Sequence, residues 1–188
     1  NGGTGNDTMI GGIGDDTYYV DSSSDKIIEN ADEGFDVVYS NNSYTLPTNV
    51  EKIILTGNSS IEAIGNAADN IIYGNEGNNV LNGKEGNDIY IFGNVFGRDT
   101  IIDNSGNDTI IFEAGITPNS INFNKNQNDL VISLKNASDK ITIQNWFLNA
   151  LYKIEKLEFA DGQKIAAQEI DKLFSENNNK INPTVVGT

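Results

Sequence analysis

Along the first 112 residues, short apolar runs recur one step behind an acidic residue. Met9-Ile10, Tyr18-Tyr19-Val20, Ile27-Ile28 and Val37-Val38-Tyr39 follow Asp7, Asp16, Asp25 and Asp36. The first three aspartates lie nine residues apart, and the fourth follows after eleven. Runs this short predict strands of minimal length, in which alternate side chains face opposite ways and an apolar residue points inward. One such unit cannot bury its apolar residue alone, so the units must stack as a solenoid. Residues 1–40 therefore read as four turns. The last two are degenerate, since Asp21-Ser22-Ser23-Ser24-Asp25 has no glycine.

The rhythm returns in a second array, residues 65–112. Gly65, Gly74 and Gly83 keep the nine-residue step, with Asn70, Asn79 and Asp88 at the sixth position of each unit, followed by Asp99 and Asp108. Between the arrays, residues 41–64 lack the glycine pattern. Tyr44 to Leu55 alternates, is rich in β-branched residues and contains Pro47, which predicts one or two further strands with a turn. After residue 112 the glycine rhythm stops. Ser120–Phe123, Asp129–Leu134, Lys140–Ile143 and Tyr152–Phe159 read as strands, and Ala160-Asp161-Gly162 as a turn. Ile165, Ile170, Leu173 and Phe174 have helical spacing, which predicts a short closing helix. A solenoid's open end exposes apolar surface and strand edge, so residues 113–175 are expected to cap it. The polar tail 176–188 is expected to be flexible. The fold class expected is all-β: a parallel β-roll with a mainly β cap and one short helix.

Charge sharpens this picture. The chain carries 27 acidic and 12 basic residues, and residues 1–112 hold 18 of the acids but only four of the bases. Such a field repels nucleic acid and anionic membrane surfaces. With neither Cys nor His, disulfides, ordinary zinc sites and His- or Cys-based catalytic triads are excluded. No run approaches the roughly 20 apolar residues of a spanning helix. Beginning at Asn1 inside a repeat, the chain reads as part of something longer and as a monomer in isolation.

The two opening blocks, Gly2 to Ile10 and Gly11 to Tyr19, share one plan: glycine at positions one, two and four, aspartate at six and a large apolar residue at eight. The glycines permit a tight turn with inward carbonyls, and the aspartate adds a hard anionic oxygen. Calcium takes six to eight oxygen ligands in flexible geometry, which suits this mixture. A glycine-rich linker is the plain alternative, but linkers do not keep an apolar residue two places after each aspartate.

On these blocks the chain resembles the RTX (repeats-in-toxin, haemolysin-type) family of calcium-binding repeats. The stretch Asn49-Val50-Glu51-Lys52-Ile53-Ile54-Leu55-Thr56-Gly57 is similar to a linker common between such blocks. The runs around Asn128–Leu134, Ile141–Phe147 and Ile154–Gly162 resemble the haemolysin-related segment that follows them. The resemblance implies a flattened coil with two blocks per lap and several calcium ions held between turns one lap apart. It pairs Asp7 with Asp25, Asp16 with Asp36, Asn79 with Asp99 and Asp88 with Asp108. It adds backbone carbonyls from glycine positions and third residues, here Gly3, Gly5, Gly11, Ile13, Gly74, Glu76, Gly83 and Glu85. Asn70 and Asn79 keep an oxygen but lose a charge, so their turns are expected to bind calcium weakly or act as metal-free spacers. The resemblance also implies a bacterial protein secreted through a type I apparatus and folding on calcium outside the cell. A calcium-dependent module recognising host-cell surfaces or glycans is the alternative.

Catalysis is not expected. Trp146-Phe147 fits a cap core better than a sugar platform, and Glu155 and Glu158, three apart on an alternating strand, point to opposite faces.

Overall fold

The computed structural model describes residues 1–135 and 138–175; the expected flexible tail lies outside the described residues. Each short apolar run forms a strand. In the first array these are β1 (Thr8–Ile10), β2 (Thr17–Val20), β3 (Lys26–Ile28) and β4 (Val37–Ser40). The region between the arrays adds β5 (Tyr44–Thr45), β6 (Lys52–Leu55) and β7 (Glu62–Ile64). The second array forms β8 (Ile71–Tyr73), β9 (Val80–Lys84), β10 (Ile89–Phe92), β11 (Arg98–Asp103) and β12 (Thr109–Phe112).

Alternate strands fall on alternate faces. Parallel pairing runs β2-β4-β6-β8-β10-β12 in one sheet and β5-β7-β9-β11 in the other, while β1 pairs with β3 alone. The chain is thus a parallel β-roll, as expected. Its inner columns come from the in-register residue of every strand. Tyr18, Val38, Ile53, Ile72, Tyr90 and Ile110 stack in the first sheet, and Tyr44, Ala63, Leu81 and Ile101 in the second. All are buried. Each lap adds only one residue to each column, so the core depends on the neighbouring laps.

Residues after 112 extend both sheets and then close them. β15 (Lys140–Ile143) pairs parallel with β11, and β16 (Lys156–Phe159) parallel with β12. Antiparallel strands follow outward: β14 (Asp129–Leu134) and β13 (Ile121–Asn126) beyond β15, and β17 (Lys164–Ala166) beyond β16. The helix α1 spans Ala167–Ser175. The sequence pattern starts it at Ile165, but Lys164–Ala166 pairs with β16 instead, because the Asp161-Gly162 turn folds it back onto an open edge. Trp146 is fully buried; its indole Nε1–H donates to Asp171 Oδ1 on α1 at 2.9 Å, and Lys153 pairs with the same carboxylate. No helix among the described residues is long and apolar enough to cross a membrane.

Candidate metal centres

The turns at the edges of the roll stack as the strands do, and the sixth-position residues form a ladder. The carboxylate of Asp25 accepts from the Asp7 backbone N–H at 3.0 Å, Asp36 from Asp16 at 2.8 Å, Asp99 from Asn79 at 2.7 Å and Asp108 from Asp88 at 2.8 Å. Asp88 also accepts from Asn70 at 2.7 Å. Each bond spans one lap of 18 or 20 residues. The structure therefore brings the same four pairs together, the longer laps included, because the extra residues bulge in the loop before the aspartate.

The ladder also recruits acids that lie off the nine-residue register. Glu51 accepts from the Asp36 N–H and Glu155 from the Asp108 N–H, both at 2.8 Å. Asp139 accepts from the Gly97 N–H at 2.7 Å. Glu29 and Asp103 also reach the ladder. Sequence reading passes over these five: Glu29 and Asp103 take the first position of a unit, where glycine is expected, and Glu51, Asp139 and Glu155 follow irregular steps.

First-position glycines leave room for the ladder. A Cβ at Gly2, Gly11 or Gly83 would run into the carboxylate of Asp7, Asp16 or Asp88 of the same turn. In the second array fourth-position glycines leave room for stacking: a Cβ at Gly77 or Gly86 would lie 2.5 Å from the Ser59 or Ala68 carbonyl oxygen. Gly3, Gly5 and Gly86 have positive φ (88°, 134° and 109°), open to glycine at little cost. Ile13, Glu76 and Glu85 expose their side chains, so only their backbone faces the turn interior.

Asp88, Asp99 and Asp108 each use one carboxylate oxygen in a ladder N–H bond and keep the other free. Asp7, Asp88, Asp99 and Asp108 each have a buried Oδ2 without a hydrogen-bond partner, as does Oε2 of Glu29. These make five of the six such side-chain atoms among the described residues, so the shortfall belongs to the ladder. No ladder aspartate is paired with Lys or Arg among the described residues. Burial pushes the Asp88 and Asp99 carboxyls up to about 7 and that of Asp108 to about 8, and neighbouring carboxylates push the same way.

Two groups gather three acids each: Asp16, Glu29 and Asp36, and Asp88, Asp103 and Asp108. Within each group one oxygen per residue lies within 4.8 Å of the others. Calcium–oxygen distances of about 2.4 Å place ligands across one ion up to ~4.8 Å apart. All-oxygen donors, buried orphan lone pairs and uncompensated negative charge fit a hard dication.

The asparagine rungs differ. Asn79 Oδ1 accepts from the Asn75 N–H at 2.8 Å, and its Nδ2 donates to the Ser59 and Ile61 carbonyls at 3.3 Å each. Asn70 is engaged in the same way by Asn66 and Val50. Asn66 and Asn75 add further amide bonds to carbonyls of the preceding lap. There the amide nitrogen occupies the carbonyls and the asparagine oxygen is itself partnered.

Family comparison agrees with this chemistry. The RTX calcium-binding nonapeptide repeat model matches residues 1–27, 63–94 and 96–116, and the haemolysin-type calcium binding protein related domain matches residues 129–168. The chain is an RTX haemolysin-type calcium-binding repeat protein, with the related domain as its cap. It is 52% identical over 67 residues, 36% of its length, to endo-1,3-1,4-beta-glycanase ExsH of Rhizobium meliloti (strain 1021), covering 14% of that protein. It is 30% identical over 95 residues, 47% of its length, to iron-regulated protein FrpA of Neisseria meningitidis serogroup C, covering 8% of it. It is 27% identical over 132 residues, 49% of its length, to leukotoxin of Aggregatibacter actinomycetemcomitans, covering 12% of it. The chain thus spans 14% or less of each of these relatives.

Proposed function

We propose that this chain is the calcium-folded part of a secreted bacterial protein, with no catalysis of its own. The observation that carries the reading is the ladder of lap-to-lap aspartates, in which Asp7, Asp88, Asp99 and Asp108 each keep a buried oxygen unpartnered. Asp7, Asp16, Asp25, Asp36, Asp88 and Asp108 would hold calcium with backbone carbonyls of their turns, including those of Gly3, Gly5, Gly11, Ile13, Gly83 and Glu85. Asn79 closes its rung without metal. Bound calcium supplies positive charge that lets buried carboxylates lie side by side. The protein contributes preformed turns that present those carboxylates.

Cytosolic calcium is too scarce for sites with dissociation constants of about 10⁻⁴–10⁻³ M, and the uncompensated acids then oppose stacking. Outside the cell each ion binds only the stacked form, adding about 2.7 kcal/mol at ~100 times its dissociation constant. Resemblance to RTX proteins implies passage through a type I secretion apparatus as an unfolded chain. Far-UV circular dichroism during a calcium titration, with magnesium as control, tests this. The expected result is a cooperative gain of β signal at millimolar calcium only. A fully formed β spectrum in chelator would sink the proposal.

A second reading, a glycan- or receptor-recognition module, has one observation in its favour. The outer face of the first sheet carries Tyr19 stacked on Tyr39 at 5.3 Å between ring centroids, with Tyr19 half exposed. Calcium-dependent binding to a glycan array that is lost in Y19A/Y39A would support it.

A further inference from the structure

Glu29 and Asp103 stand four residues after Asp25 and Asp99, the place that Gly11 and Gly83 take after Asp7 and Asn79. A carboxylate thus replaces a glycine in two turns, and each is tied to a buried tyrosine of the first sheet. The Tyr18 hydroxyl donates to Glu29 Oε1, and the Tyr90 hydroxyl donates to Asp103 Oδ2 at 2.6 Å. The Tyr90 oxygen also accepts from the Gly83 N–H at 2.8 Å, which orients the phenol. The two constellations repeat one plan. Gly11, Asp16, Tyr18, Glu29 and Asp36 correspond to Gly83, Asp88, Tyr90, Asp103 and Asp108, and both aspartate pairs span 20 residues.

A phenol donating to a carboxylate does not require a third acid beside two others; that placement costs electrostatic energy. Two independent observations say the groups face a common ligand. Glu29 is 7% exposed and keeps Oε2 unpartnered, while Asp88 and Asp108, at 0% and 1% exposed, each keep Oδ2 unpartnered. A Cβ at Gly11 would strike Tyr18, Asp16 and Glu29 together, and one at Gly83 would strike Asp88 and Tyr90. The groups converge on the space the absent side chain leaves.

Building on the calcium reading above, we infer that Glu29 and Asp103 are calcium ligands, making these two rungs three-carboxylate centres that fill before the others. Tyr18 and Tyr90 are positioning residues, holding the third carboxylate toward the ion. The Asp7–Asp25 rung has two carboxylates and the Asn79–Asp99 rung one, and calcium affinity rises with ligand charge.

Calorimetric titration of the whole chain with calcium is the first test. Wild type is expected to show two tight sites, E29Q and D103N each weakening one of them at least about tenfold. E62Q, which removes the same charge at an exposed position, is expected to leave the isotherm unchanged. Terbium luminescence excited through tyrosine is the second test. Y18F and Y90F, which retain every carboxylate, are each expected to remove part of the sensitised emission. Wild-type affinities in both E29Q and D103N would overturn the inference and leave the calcium reading standing. Failure of wild type to bind either ion would bring down the calcium reading itself. Should D103N not fold at saturating calcium, Y90F decides: undiminished emission and affinity overturn the inference.

Discussion

At Gly86 a methyl group would meet the Ala68 carbonyl oxygen at 2.5 Å with φ at 109°, whereas at Gly3, with φ at 88°, nothing lies within 4 Å. Both substitutions strain the backbone, but only the first also pushes two laps apart. G86A is expected to destabilise the calcium-loaded roll by about 2–4 kcal/mol and G3A by about 1 kcal/mol, read from urea unfolding. Asn79 offers the converse test. N79D would set a second carboxylate beside Asp99 and remove the amide bonds to Ser59 and Ile61. The expected outcome is one more calcium ion bound per chain by calorimetry. At limiting calcium the variant is expected to lose about 1 kcal/mol, because the two amide bonds to those carbonyls are gone. The identity of the sixth residue is plain in the sequence. Its partner one lap away follows from the family resemblance, whereas the carbonyls that the amide binds are set by the fold.

Among the elements, the strands were the easiest to read and the cap the hardest. Each three- or four-residue run in the arrays became a strand because its one inward side chain joins a column of others. The cap strands Asp129–Leu134 and Lys140–Ile143 were equally legible from alternation. Their placement was not. β15 and β16 continue the two sheets across 42- and 47-residue intervals, seen also in the Asp139 and Glu155 bonds, and no periodicity announces such steps. Trp146 anchors this cap through burial and its bond to Asp171. W146A is therefore expected to cost about 3–5 kcal/mol in saturating calcium by chemical denaturation. Calcium binding at the distant Asp7–Asp25 rung is expected to persist.

For the molecule as a whole, protons and calcium compete for the same buried acids. In the calcium-free fold, burial raises Asp88 and Asp99 to about 7 and Asp108 to about 8, above the ordinary 3.8. The folded form then holds more protons than the unfolded chain between those values. Its stability is fully present below about 3.8 and lost as pH rises through 7 to 8. In chelator, the β signal in far-UV circular dichroism is expected to grow as pH falls from 8 to 5, because protons neutralise the buried acids that calcium otherwise would. In saturating calcium that trend is expected to flatten or invert, since protons displace the metal. Calcium removal should also act unevenly. As calcium is withdrawn in steps, hydrogen exchange is expected to accelerate first in β1–β4 and β10–β12, and last in β6–β9, where asparagine amides stitch the laps together.

The sequence by itself determined the repeat, the short strands, the inward residue of each and the register of the main aspartates. All of these follow from local spacing: glycine for a turn, an acid at its end, one apolar residue to bury. Tertiary structure alone decided which further acids join those pairs. Glu29, Glu51, Asp103, Asp139 and Glu155 enter the ladder only when strands of unequal loop length are laid side by side. Ligand sets are made by adjacency across laps, and the chain's local spacing carries no record of how long each lap will be.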